Sequence, residues 1–234
     1  SGGNYNVVVG DEAGTALTTG DSNVAVGFNA LKTEDGNGFN VAVGAEALET
    51  QNAGADAYNV AVGRAAGKAT TTGINNTLLG GLAGAALTDA DFNIAVGYGA
   101  LDSDTLGSRS VAIGYNSLTT QNFTTATDTY NTAVGFQAGT AVTTGVQNTL
   151  IGGLAGSSLT DADFNTSVGR LALQTDTLGS RSTALGYGTL QAQNFTTATD
   201  SYNVAVGFSA GNALTTGLRN NLFGAFAGDS LTDA

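Results

Sequence analysis

The sequence predicts an all-β fold, a parallel β-solenoid (β-roll) of about thirteen coils, and three observations carry that prediction. A pentapeptide of the form N-V-A-V-G recurs along the chain, its glycines falling at Gly10, Gly27, Gly44, Gly63, Gly80, Gly97, Gly114, Gly135, Gly152, Gly169, Gly186, Gly207 and Gly224, mostly 17 residues apart. Each copy alternates with period two and closes on glycine, the pattern of a short strand followed by a turn. Glycine makes up 35 of the 234 residues, whereas proline, cysteine, methionine, tryptophan and histidine are absent. Helical repeats need about 33 residues or more. A shorter period accommodates one strand per coil and a second extended piece at G-x-x-A-L/G. Coils stacked at strand spacing, about 4.8 Å each, would give a rod roughly 60 Å long.

Each position of the motif reads as a column through the stack. Asn stands four residues before the glycine, from Asn6 to Asn220, except at Ser110 and Ser182. It serves either as an amide ladder between rungs or as the turn residue that begins the strand. The residue just before the glycine is always bulky and apolar (Val9, Val26, Val43 through Val206 and Phe223) and is expected to point into the coil. The small residue before that (Ala25, Ala42, Ala61, Ala95, Ala112, Ala133, Ser167, Ala184, Ala205) is expected to face outward, where another backbone approaches closely. Ordering the backbone costs roughly 1–2 kcal/mol per residue, and so thin a core looks insufficient alone. The sequence therefore predicts association along the alanine seam, as a parallel homotrimer.

A longer period lies over the short one. The spacings 17, 17, 17 and 21 repeat as a 72-residue cassette, so that residues 63–134 match 135–206 within a single repetitive domain spanning 1–234. LTDADFN at 87–93 returns at 159–165, and DTLGSRS at 104–110 returns at 176–182. The chain closes on LTDA, the start of the next such loop, which reads as a segment of a longer array or as an open end suited to end-to-end stacking.

Composition narrows the functions. With 19 acidic residues against 7 basic ones, the net charge of −12 argues against nucleic acid and against docking on an anionic membrane. No apolar run reaches the length of a membrane span, and the residues SGGNYNVVVG, without a basic segment or a hydrophobic stretch, are not expected to act as a secretory leader. Without cysteine or histidine, the commonest nucleophile, base and transition-metal chemistry is missing. Acidic pairs in the loops, Asp89 with Asp91, Asp161 with Asp163 and Asp102 with Asp104, invite either paired-carboxylate sugar chemistry or a calcium site. Asp89, Asp91, Asp161 and Asp163 are the calcium candidates. Because they recur with the cassette, the preferred reading is solvated loops, with no catalytic residue and no cofactor. Thr-Thr-Gly tracts occur once per cassette, so no unbroken threonine array is expected. Aromatics preceding the strands (Tyr58, Phe92, Tyr130, Phe164, Tyr202) are expected to staple loops, and Arg109 and Arg181 to pair with Asp across rungs.

The segment SRSVAIGYNSL at 108–118 resembles the repeat of the head domain of YadA-type trimeric autotransporter adhesins, and NTAVGFQAGTAVTTGVQNTLIGGLAG at 131–156 is similar to repeat arrays of bacterial and phage tail-fibre-like surface proteins. The likeness covers essentially the whole chain, although the adhesin period is shorter. It implies a left-handed roll, three chains packed together, and a cell-surface or virion location. The expected function is a non-catalytic structural or adhesive fibre segment, a rigid spacer that displays its loops many times to a cell-surface glycan or host surface. The alternatives are a self-assembling extracellular filament or matrix protein and a polysaccharide-binding or polysaccharide-cleaving fibre.

Overall fold

The computed structural model describes residues 3–233. The protein is an all-β parallel solenoid of about thirteen turns, with no helix among the described residues. It divides into two compact units: residues up to Ser110 with Asn122–Asp128, and Val111–Gln121 with the residues from Thr129 onward. In the first unit, strands β1 (Val7–Val9), β2 (Val24–Val26), β3 (Val41–Val43), β4 (Val60–Val62), β5 (Thr77–Leu79) and β6 (Ile94–Val96) form a parallel ladder. That unit also holds β7 (Gly107–Ser108), paired with β9 (Thr127–Asp128). The second unit stacks β8 (Val111–Ile113), β10 (Thr132–Val134), β11 (Thr149–Ile151), β12 (Thr166–Val168), β14 (Thr183–Leu185), β16 (Val204–Val206) and β17 (Asn221–Phe223). Its small extra pair is β13 (Gly179–Ser180) with β15 (Thr199–Asp200). Registers are in phase, Val24 beside Val41 and Thr149 beside Thr166, so equal motif positions form columns.

The asparagines form a true ladder. Asn23 donates its backbone N–H to Asn6 Oδ1 at 2.8 Å, and Asn76 does the same to Asn59. The side-chain amide then donates to the carbonyl fourteen residues on, Asn76 to Ala90 and Asn148 to Ala162, each at 2.7 Å. The glycine that closes each strand is required by crowding as well as by its positive φ. A Cβ on Gly80 (φ 137°) would sit 2.5 Å from the carbonyl oxygen of Gly97.

Two expectations are overturned here. The strand-centre alanines point inward: Ala25, Ala42, Ala61, Ala95, Ala112, Ala133, Ala184 and Ala205 are completely buried within the single chain. The bulky flanking residues point outward and stay at least partly exposed, Ile113 at 37% and Val62 at 39%. An alanine seam between chains is therefore excluded by geometry. The reason is the width of the coil, which is filled from the opposite wall. Four residues after the strand glycine, Leu31, Leu48, Leu101, Leu118, Leu173 and Leu190 reach across and are wholly buried, leaving room only for a methyl group opposite. In most coils where glycine replaces that leucine, the space is filled three residues further on by Leu87, Val142, Leu159 or Leu214, and after Gly67 by the buried Thr70. Leu78 and Leu150 add a larger strand-centre side chain in the coils with Gly84 and Gly156. A Cβ on Gly84 would lie 2.8 Å from both Leu78 Cδ2 and Leu87 Cδ1.

The second extended piece expected at G-x-x-A-L/G is a chain of turns instead. Positive φ recurs at its third and fifth residues, as at Leu82 (61°) with Gly84 (56°) and Leu171 (63°) with Leu173 (52°). Left-handed backbone is costly for β-branched side chains, and among the described residues none at positive φ is Val, Ile or Thr. Cross-coil bonding survives the irregularity: Gly84 N–H donates to Ala100 O and Leu82 N–H to Arg64 O, both at 2.9 Å.

In coils that carry the inward leucine, the residue three further on is polar and buried: Glu34, Gln51, Asp104, Gln121, Asp176 and Gln193. Asp176 shows why. Its Oδ1 accepts the N–H groups of Gly179 and Phe195, at 3.1 and 3.0 Å, and its Oδ2 accepts Gln193 Nε2 at 2.5 Å. The carboxylate thereby anchors the 21-residue coil at Phe195, where its extra residues begin, just before β15 pairs with β13.

Candidate functional site on the outward faces

With the interior packed, function falls to three outward surfaces. The first is the sheet face, with rows of Val, Ile, Thr and Leu flanking the buried strand-centre residue. Along the second unit they are Val111, Thr132, Thr149, Thr166, Thr183 and Val204 on one side, and Ile113, Val134, Ile151, Val168, Leu185 and Val206 on the other.

The second is the column preceding the strands, where the backbone is left-handed at every aromatic and arginine (Phe92 φ 58°, Arg181 φ 62°). Phe39 and Tyr58 stack at 5.0 Å. The Arg109 guanidinium lies 4.8 Å from the Phe92 ring centre, and Arg181 sits 4.6 Å from Phe164 and 6.0 Å from Tyr202. Both arginines pair across coils as expected, Arg109 with Asp128 at 2.9 Å and Arg181 with Asp200 at 3.0 Å. Bonding to Asp200 pushes the Arg181 guanidinium further above its ordinary range. Tyr58, Phe92, Tyr130, Phe164 and Tyr202 are about half exposed and line this edge.

The third surface is the five-residue turn after each strand glycine, and here the units differ. In the first unit its first four coils are charged, DEAGT at 11–15, FNALK at 28–32, AEALE at 45–49 and RAAGK at 64–68, whereas GLAGA at 81–85 carries no charge. Lys32 pairs with Glu12, and Lys68 with Glu46 at 2.9 Å and Glu49 at 3.4 Å. Hydrogen bonding within the Lys68–Glu46 pair raises the lysine and lowers the glutamate relative to their ordinary values. Asp102, half-buried at the end of this surface, is raised by burial.

In the second unit five successive turns, FQAGT, GLAGS, RLALQ, YGTLQ and FSAGN, from 136 to 212, contain no acidic residue, and acid returns only at Asp229 in AFAGD. Tyr115 stacks on Phe136 at 5.5 Å, and Tyr187 on Phe208 at 5.2 Å. Arg170 lies 5.9 Å from the Tyr187 ring centre. Beside the rings runs an amide ladder, Gln191 Nε2 donating to Gln174 Oε1 at 2.8 Å and Asn212 Nδ2 to Gln191 Oε1 at 3.1 Å.

The four aspartates considered for calcium staple coils together. Asp89 Oδ1 accepts the Thr72 hydroxyl at 2.5 Å and Asp91 Oδ1 the Ile74 N–H at 2.8 Å. Asp161 and Asp163 repeat the arrangement with Thr144 and Val146. Among the described residues no three acidic side chains converge as a metal site would require. Threonine is more regular than its tracts suggest, recurring eight residues after the glycine at Thr71, Thr88, Thr105, Thr143, Thr160, Thr177 and Thr215. Its hydroxyl is used internally, Thr88 donating to Thr105 O and Thr160 to Thr177 O. Comparison with protein-family models, with curated proteins and with solved structures returns no match for this chain.

Proposed function

We propose that this chain is a non-catalytic structural and adhesive segment of an extracellular or virion surface fibre, associating with copies of itself as a homotrimer. The observation that carries the reading is the outward sheet face, where aliphatic side chains recur in coil after coil while the single chain's core is built from alanine, glycine and leucine. A continuous partly exposed apolar row such as Ile113, Val134, Ile151, Val168 and Leu185, with a row of Val and Thr beside it, favours burial against another surface, at about 25 cal/mol per Å² of apolar area removed from water. The self-association expected of the sequence is kept, but its seam moves from the alanines to Val134, Ile151, Val168 and their neighbours. Repeated cassettes then present the same loops many times, and weak contacts combine.

Light scattering tests this directly: a mass about three times 23.1 kDa is expected. Val134→Asp with Val168→Asp should give a folded monomer, because both side chains lie outside the coil. A wild-type monomer at high concentration would overturn the proposal. A mass that grows without limit would favour the filament reading instead.

A further inference from the structure

The geometry points to a binding face for acidic saccharides on the second unit, centred on Arg170; this deepens the adhesive half of the fibre reading and rests on it. Four observations converge there. Arg170 is exposed, lies over Tyr187, and among the described residues has no carboxylate within ion-pairing distance. Lys32, Lys68, Arg109 and Arg181, by contrast, are ion-paired. Arg64 and Arg219 have no ion pair either among the described residues, but Arg64 lies in the field of Glu46 on the charged first unit, and Arg219 stands in the column preceding the strands, away from this turn face. In a chain of net charge −12, a cation standing in an acid-free stretch of five successive turns is positioned for an external anion.

The column of side chains directly after the strand glycines also has a gap at this place. It reads Phe136, Gly153, Arg170, Tyr187, Phe208 in successive coils. A Cβ on Gly153 would touch nothing within 4 Å, whereas at the matching Gly81 of the first unit the Tyr98 ring leans to 3.4 Å. Phe136 and Arg170 thus flank an open slot two coils wide, roughly 10 Å at ordinary strand spacing, which suits one flat ring lying between them.

The chemistry around the slot suits a sugar acid. Phe136, stacked on Tyr115 and 55% exposed, turns its other side toward the coil of Gly153 and offers a stacking platform for the C–H face of a pyranose, while the exposed edges of Tyr187 and Phe208 border the site. A guanidinium binds a carboxylate through two parallel hydrogen bonds. Gln174 and Gln191, half-exposed alongside, supply donors and acceptors for hydroxyls. A uronic-acid polymer presents the same ring and carboxylate at regular intervals, which the coil stack meets with its own regular columns.

The test uses the full chain with oligogalacturonate, its methyl-esterified counterpart and polystyrene sulfonate as probes, by isothermal titration calorimetry. Oligogalacturonate should bind, and Arg170→Gln should weaken binding about tenfold. Gly153→Leu, which fills the slot on backbone that any residue adopts, should do the same, while Arg64→Gln on the charged first unit should leave affinity unchanged. The inference is overturned by any of three results: absence of binding at millimolar oligogalacturonate, undiminished binding in Arg170→Gln, or equal binding of the methyl ester or the sulfonate. Light scattering on the same samples separates the two claims. A trimer that ignores sugar acids sinks this inference alone, and a monomer sinks the fibre reading.

Discussion

Coils that begin at Asn23 and Asn40 and those that begin at Asn165 and Ser182 carry the same buried polar arrangement, yet only the later pair completes it. In the later pair, Asp176 receives two backbone N–H groups and Gln193 Nε2, and Gln193 Nε2 also reaches Ser182 Oγ at 2.9 Å. Ser182 and Ser201 share a hydroxyl contact at 2.5 Å, and Asn203 donates to Gln193 Oε1. In the earlier pair Glu34 replaces Asp176, Asn40 replaces Ser182 and Gln51 replaces Gln193. Glu34 Oε1 accepts Asn37, but Glu34 Oε2, Asn40 Nδ2 and Gln51 Nε2 are buried without partners.

Coil length explains the contrast. An asparagine at the head of a coil needs the carbonyl fourteen residues on, as Asn23 finds Asn37 and Asn59 finds Gly73. The coil headed by Asn40 is 19 residues long and those headed by Ser110 and Ser182 are 21, which displaces that carbonyl. Serine asks for less, and the two exceptions to the asparagine rule fall where the insertions are. A buried polar network stabilises when complete and costs when partial.

That difference sets an ordered series of measurements. Asp176→Ala strands three donors at once and should lower the unfolding free energy by about 3–5 kcal/mol in urea titration; a loss below 1 kcal/mol would mean that the anchor is ornamental. Asn203→Ala removes the amide that joins Gln193 to Gly217 and the acceptor of Asn220 N–H, and should cost about 2–3 kcal/mol with faster amide exchange at Asn220. Glu34→Gln should act in the opposite direction, stabilising the neutral-pH protein by on the order of 1 kcal/mol.

Burial raises the Glu34 carboxyl, Asp35 adds to the rise, and the Asn37 bonds oppose it. The folded chain therefore binds this proton more readily than the unfolded one. Its contribution becomes favourable as pH falls through the raised folded value and is absent at neutrality, so the Glu34→Gln benefit should shrink as thermal melts move from neutral pH toward the ordinary glutamate range. A benefit independent of pH would refute the assignment. Smallest of all, Asn40→Ser removes an orphan amide but also the acceptor of Asn59 N–H, and thermal melts should move by no more than about 0.5 kcal/mol equivalent.

The repeat made the strands legible, each N-V-A-V-G placing one, and the Asn column could be read as a ladder before its bonds were seen. Which face of the strand turned inward could not be read from alternation alone, because a period of two is symmetric between faces. The usual preference for bulky residues inside then pointed the wrong way. A signal was nonetheless present: Leu78, Leu150 and Leu222 break the small-residue column only in coils where Gly84, Gly156 and Gly228 replace the inward leucine. Such compensation belongs to residues that share a core. The buried carboxylates were harder to find, since Asp104 and Asp176 sit in loops that read as solvated and are enclosed only because Phe123 and Phe195 return over them. The aromatic and amide columns of the second unit depend on which turn positions align, and left-handed backbone inside the turns hid that alignment.

The inward site alternates Gly, Leu, Leu, Gly from Gly14, Leu31, Leu48 and Gly67 through Gly139, Gly156, Leu173 and Leu190. Deleting one coil from the interior would leave a lone leucine between glycines or a lone glycine between leucines, an arrangement found nowhere along the array. Removing or duplicating a whole quartet leaves every junction as it was. Recombination between near-identical gene segments naturally yields such whole-quartet changes, so the interior acts as a metre that lets the array change length only in complete bars.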